Sequence, residues 1–125
     1  MENSILKSTK KILGLAEDYT AFDHEIVVHI NSVFSDLEQL GIGPEGGYAI
    51  DDQGTEEWEA YVTPDVTELL LNSVRTYMFL RVKALFDPPS TGYLVEATNK
   101  QIEKAEWRLN VQREFVLHPF VEEEV

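Results

Sequence analysis

From its start, the chain places apolar residues at helical spacing. Ile5, Leu6, Ile12 and Leu13 share a face of a first helix over about Ser4 to Leu13, with Lys7, Lys10 and Lys11 on the other side and Gly14 as the stop. A second helix begins near Asp23, with Phe22 placed to staple its first turn, and carries Ile26, Ile30, Val33, Phe34 and Leu37 at helical spacing up to Gly41. The pattern then breaks. Gly41 to Gly54 is rich in glycine and reads as a long loop with one short extended segment at Tyr48-Ala49-Ile50. Thr55 is placed to cap a single helical turn holding Trp58 and Tyr61.

The third long helix has the clearest start signal, with Thr63 as N-cap, Pro64 in the first helical position and Asp65 against the helix dipole. It runs to about Phe86. Its surface is apolar except for an arc of Glu68, Asn72, Arg75, Thr76 and Lys83, the pattern of a helix in the middle of a bundle. Arg81 lies within the apolar arc and must either pair with a carboxylate or reach past the bundle edge; its functional reading is an ion pair between subunits. Asp87-Pro88-Pro89 ends the helix, and Ser90 or Thr91 opens a last one reaching about Val116.

That last helix carries two apolar stripes. Ile102, Ala105, Leu109 and Val116 cluster on one side, while Trp107, Val111 and Phe115 fall on roughly the opposite side at about 100° per residue. One bundle does not easily bury both. The second stripe is either a contact with a partner or core covered by the long loop. Beyond it, Leu117 to Val121 and three glutamates cannot continue the helix through Pro119. This arm is either a frayed end or a segment that orders against a neighbour through Leu117, Phe120 and Val121. The expected architecture is mainly α: a bundle of about four helices with a long loop between the second and third, residues 1–116 forming one domain and 117–125 a flexible acidic arm.

Charge narrows the choice of function. Ten basic against twenty-three acidic side chains give a net charge of -13, which disfavours binding to phosphate backbones or anionic lipid. The apolar stretch from Val66 to Phe86 is interrupted by Glu68, Asn72, Arg75, Arg81 and Lys83 and is no membrane span. The first residues lack a basic segment followed by an apolar one, so synthesis in the cytoplasm is expected. No cysteine is present, which removes disulfides, thiolate metal sites and cysteine nucleophiles.

The remaining chemical motifs fail on geometry. His24 and His29 are five residues apart, about 140° round a helix, and cannot clamp one metal ion. Gly41-Ile-Gly43-Pro-Glu-Gly46 has the letters of a dinucleotide fingerprint but follows a helix rather than a strand, and reads as a helix stop and a turn. Asp51, Asp52, Glu56, Glu57 and Glu59 form an acidic cluster without the ligand alternation of a calcium loop. No nucleophile motif and no pair of carboxylates in a pocket that would separate their roles is visible. Neither an enzyme nor a metal or cofactor is expected.

Three stretches carry a resemblance: His29-Ile-Asn-Ser-Val-Phe with Leu40-Gly-Ile-Gly-Pro, Tyr77-Met-Phe-Leu-Arg-Val-Lys-Ala-Leu-Phe-Asp-Pro-Pro, and Asn99-Lys-Gln-Ile with Glu106-Trp-Arg-Leu-Asn. Together with the order of helices they resemble the head-tail connector family of long-tailed bacteriophages and prophages, over about Ser4 to Glu114. The resemblance implies a structural subunit in the virion neck. It would form a ring, commonly a dodecamer, that docks on the portal protein, extends the DNA channel towards the tail and meets a tail-completion or stopper protein. A ring would explain the Trp107, Val111 and Phe115 stripe. An acidic channel wall, with Asp51, Asp52, Glu56, Glu57 and Glu59 as candidates, would touch passing DNA only weakly. The alternative from another class is an acidic DNA mimic that inhibits a DNA-binding enzyme.

Overall fold

The computed structural model describes residues 3–63 and 66–117, with Phe115 to Leu117 described only by their place in a helix. The elements in chain order are α1 (Ile5–Ile12), α2 (Asp23–Gln39), α3 (Trp58–Tyr61), α4 (Glu68–Phe86) and α5 (Gly92–Leu117), with no β-strand among the described residues. The mainly helical bundle and the long loop after the second helix are as the pattern predicts.

α1, α4 and α5 start where a side chain answers a free amide. Ser4 Oγ accepts from Lys7 N at 3.2 Å, Thr67 Oγ1 from Leu70 N at 3.2 Å, and Thr91 Oγ1 from Leu94 N at 3.2 Å. The third long helix starts at Glu68, later than the Thr63 signal suggests. The Thr63 carbonyl instead accepts from Val66 N at 2.9 Å, Val66 is buried and Thr67 is the cap, while Pro64 and Asp65 of the expected start lie outside the described residues. The single turn α3 starts after Glu57 rather than Thr55, and no side chain caps it. At the far end of α2, Gly41 takes φ +80° and Ile42 N returns to the Leu37 carbonyl at 3.0 Å, which folds buried Ile42 back onto the helix.

α4 occupies the centre, packed against α1, α2 and α5. Ile26, Ile30, Val33, Phe34 and Leu37 of α2 are all buried against it and its neighbours, as their spacing requires. The long loop is held by side chains in place of a sheet. Asn31 donates to the Ile50 carbonyl at 3.0 Å and accepts from Ile50 N at 2.8 Å, so one amide satisfies both backbone groups of a buried loop residue. The next stretch pairs with the start of the chain: Ile5 N donates to Glu56 O at 3.0 Å and Trp58 N to Asn3 O at 2.9 Å. Phe34, Tyr48, Tyr61 and Trp58 then form an aromatic cluster, with ring centroids 5.0 Å apart for Phe34 and Tyr61 and 6.2 Å for Phe34 and Trp58.

Two expectations about α1 are overturned. Ile12 is exposed, and Lys10 is not on a solvated face but is only 2% exposed. Its ammonium lies 2.9 Å from Asp23 Oδ1 and donates to the Glu17 carbonyl at 2.9 Å. The loop from Leu13 to Phe22 crosses over the helix there, and burying the lysine is tolerable because a carboxylate and a carbonyl meet its charge.

Candidate assembly interface

α5 packs on one side only, against α4, burying Ala105 and Leu109 and partly burying Ile102. Two polar contacts tie it to the bundle, the first of them through a network that reaches α2. Tyr77 donates its hydroxyl to Glu106 at 3.1 Å, while Arg81 of α4 donates to the Tyr77 oxygen at 2.6 Å and to Asp36 of α2 at 2.8 Å. Nearer its end, Arg113 donates to the Leu40 carbonyl. Burial favours neutral Arg81, but the Asp36 and Tyr77 hydrogen bonds and charges outweigh this and hold its pKa above the ordinary value. Burial also raises the Tyr77 pKa, with Arg81 opposing and Glu106 adding to the shift. The charge of Arg81 is thus met within its own chain.

With that side of α5 fixed inwards, the other points to solvent. Trp107 is 65% exposed and Val111 46%, and Lys100, Lys104 and Arg108 are exposed beside them. The long loop does not fold over this face; it is tied to α2 and to the start of the chain. At the beginning of the helix Tyr93 is 82% exposed, with Leu94 and Val95 also open, next to a groove lined by Leu80, Ala84, Pro88, Pro89, Leu94 and Thr98. A monomer gains nothing by leaving an indole in water, and such surface is what a partner removes from solvent. The side chains of Phe115 and Leu117, and all of Phe120 and Val121, lie outside the described residues, as does the arm after α5.

The acidic cluster occupies the surface of the long loop and α3. Asp51, Asp52, Glu57 and Glu59 are exposed and Glu56 is half-buried, its carboxylate accepting from Asp51 N at 3.1 Å. Asp52 meets His24 at 3.1 Å, and His29 lies 3.6 Å from Glu25, so the two histidines have separate partners. Among the described residues no group of three or more histidine and carboxylate side chains is arranged to hold a metal ion, and no helix is long and apolar enough to cross a membrane.

The network of Asp36, Tyr77, Arg81 and Glu106 escapes the sequence reading beyond its central arginine. Tyr77 lies one turn before Arg81, which is a signal, but nothing in the sequence says that Asp36 and Glu106 reach the same place. Tyr93 is missed because it falls in the first turn of α5, before the apolar periodicity is established.

The fold and this surface define a class: a small helical bundle whose last helix keeps an apolar face open to solvent. A family model described as phage connector protein matches residues 5–115, and the chain belongs to that family. It is a bacteriophage structural protein of the connector type. Neither a curated protein nor a solved structure matches it.

Proposed function

We propose that this protein is a non-enzymatic head-tail connector subunit, assembled as a ring that docks on the portal, extends the DNA channel towards the tail and receives a tail-completion protein. It would act at the virion neck after synthesis in the host cytoplasm. The observation that carries the reading is the outer face of α5, where Trp107 and Val111 stay open to water side by side, while most apolar positions of α2 and α4, Val28, Leu69 and Leu85 excepted, lie in a shared core. Family membership makes neighbouring copies and portal-related partners the natural cover for that face.

Charge suits the channel. A wall with net negative potential repels the phosphate backbone, so the duplex slides rather than sticks. Asp51 and Asp52, exposed at the loop, are the residues proposed for that wall. Imaging the protein mixed with its portal tests the proposal: annular density coaxial with the portal is the expected result. Binding to a basic nuclease or repressor with no portal attachment would instead make it a DNA mimic.

A further inference from the structure

Resting on the ring reading, the structure also says which two faces meet. α3 and α5 lie on opposite sides of α4. On one side Phe79 and Arg75 approach Trp58 of α3, with ring centroids 6.2 Å apart and the guanidinium 5.7 Å over the indole. On the other, Tyr77 reaches Glu106 of α5 at 3.1 Å. Phe79 and Tyr77 are two positions apart, roughly 200° round the helix. Trp58 and Tyr61 are buried, so the remainder of α3, Glu59 and Ala60, looks outward, and the flanking Glu57 and Val62 are exposed with it. Ala105 and Leu109 turn inward, so the Trp107 face looks the opposite way.

The two faces differ in charge as well as in direction. In a chain of net charge -13, the outer face of α5 groups three of the ten basic residues, Lys100, Lys104 and Arg108, around Trp107 and Val111. Glu96, Glu103 and Glu114 line its other side, within about 40° of Trp107 at about 100° per residue, and Glu96 meets Lys100 at 3.4 Å, so the basic side of the face is the one carrying Lys104 and Arg108 with Lys100 at its border. The α3 face is the complement, carrying carboxylates beside the apolar patch of Ala60 and Val62. We infer that the α5 face of one copy seats on the α3 face of the next, Lys100 and Lys104 against Glu57 and Glu59, with Trp107 and Val111 on Ala60 and Val62.

Geometry and charge both favour this occupant over self-pairing. Two α5 faces brought together would close as a two-fold pair, whereas joining opposite faces repeats from copy to copy, as a ring requires, and sets the basic side of one face against the carboxylates of the other. Glu57 and Glu59 then belong to the joint between subunits, and Asp51 and Asp52 remain for the channel wall.

Two full-length variants test the pairing, K100E/K104E and E57K/E59K, whose altered side chains are all exposed. Sedimentation velocity is run on each alone and on an equimolar mixture, with portal present if the free wild type does not assemble. Each variant alone should need at least about tenfold more protein than the wild type to associate, because like charges now face each other. The mixture should regain wild-type association, since each reversed face then finds its opposite on the other variant. Reversed chains that assemble as well as wild type, or a mixture that stays apart, end the pairing and leave the ring standing. A wild type that is monomeric both free and on the portal ends the ring reading and the pairing with it.

Discussion

Lys10 Nζ sits 2.9 Å from both Asp23 Oδ1 and the Glu17 carbonyl oxygen, so one buried ammonium fastens α1 to the first residue of α2 and to the loop between them. The Asp23 oxygen takes no aligned hydrogen bond, and charge holds the pair. Lys10→Ala strands a shielded carboxylate and should cost about 2–4 kcal/mol in urea unfolding. Lys10→Met combined with Asp23→Leu should recover most of that loss, because no unmet charge remains. A single change that leaves the unfolding midpoint in place would show the pair to be ornamental.

Tyr61 provides a pH signature. Burial raises its phenol pKa well above the ordinary value of 10.0. In the unfolded chain the phenol ionises near that ordinary value, while in the native state it keeps its proton. The unfolded form therefore binds fewer protons above pH about 10, and stability must fall as pH rises through that region. Below it, the contribution is intact. Tyr61→Phe should flatten the alkaline limb of a plot of unfolding free energy against pH, and an unchanged limb would point to another group.

Gly43 is the turn position that admits no side chain. Its φ is +98°, and a Cβ there would lie 2.5 Å from the Tyr61 hydroxyl oxygen and 2.7 Å from Cζ. Gly43→Ala combines left-handed backbone strain with a clash against a fully packed ring, and should lower stability by about 2–4 kcal/mol. Gly46→Ala is the control, since nothing lies within 4 Å of its Cβ position and its φ of +88° leaves only the backbone term. Thermal melts of the two variants should separate clearly.

The Arg81 network sets the lie of α5. Tyr77→Phe removes the bridge to Glu106 and the acceptor for Arg81, and should cost about 1–2 kcal/mol. Arg81→Lys should not restore what Arg81→Ala loses, because a single ammonium does not span Asp36 and the Tyr77 oxygen as the planar guanidinium does. Hydrogen exchange of α5 amides should quicken in both Arg81 variants. Exchange as slow as in the wild type would mean that apolar packing alone positions the helix.

Trp107→Ala and Val111→Asp touch side chains that solvent already reaches, so unfolding free energy should shift by no more than about 0.5 kcal/mol. Assembly on the portal should weaken by about tenfold or more, read by co-sedimentation with the portal, because a buried aromatic anchor is lost or a charge is set into an apolar contact. Loss of fold in either variant would make the stripe part of the core.

The order of the helices, their ends at Gly41 and at Asp87-Pro88-Pro89, the buried face of α2 and the central place of α4 were all legible in the sequence. Periodicity and capping are local signals, written within a few residues of where they act. The sequence also separated two stripes on α5, but spacing alone could not say which was covered, since the long loop had length enough to fold over either. Only the tertiary structure decided that, by tying the loop to Asn31 and to the first residues of the chain. The same holds for Lys10, whose lysine periodicity matches a solvated face until Asp23 and the crossing loop arrive from further along. The Thr63 start failed because a second capping threonine, Thr67, lies further along, and burial of Val66 ahead of it is a tertiary effect. Partners that meet across dozens of residues, such as Asp36 with Arg81 or Tyr77 with Glu106, depend on how helices cross, and that is fixed by packing rather than by any local pattern.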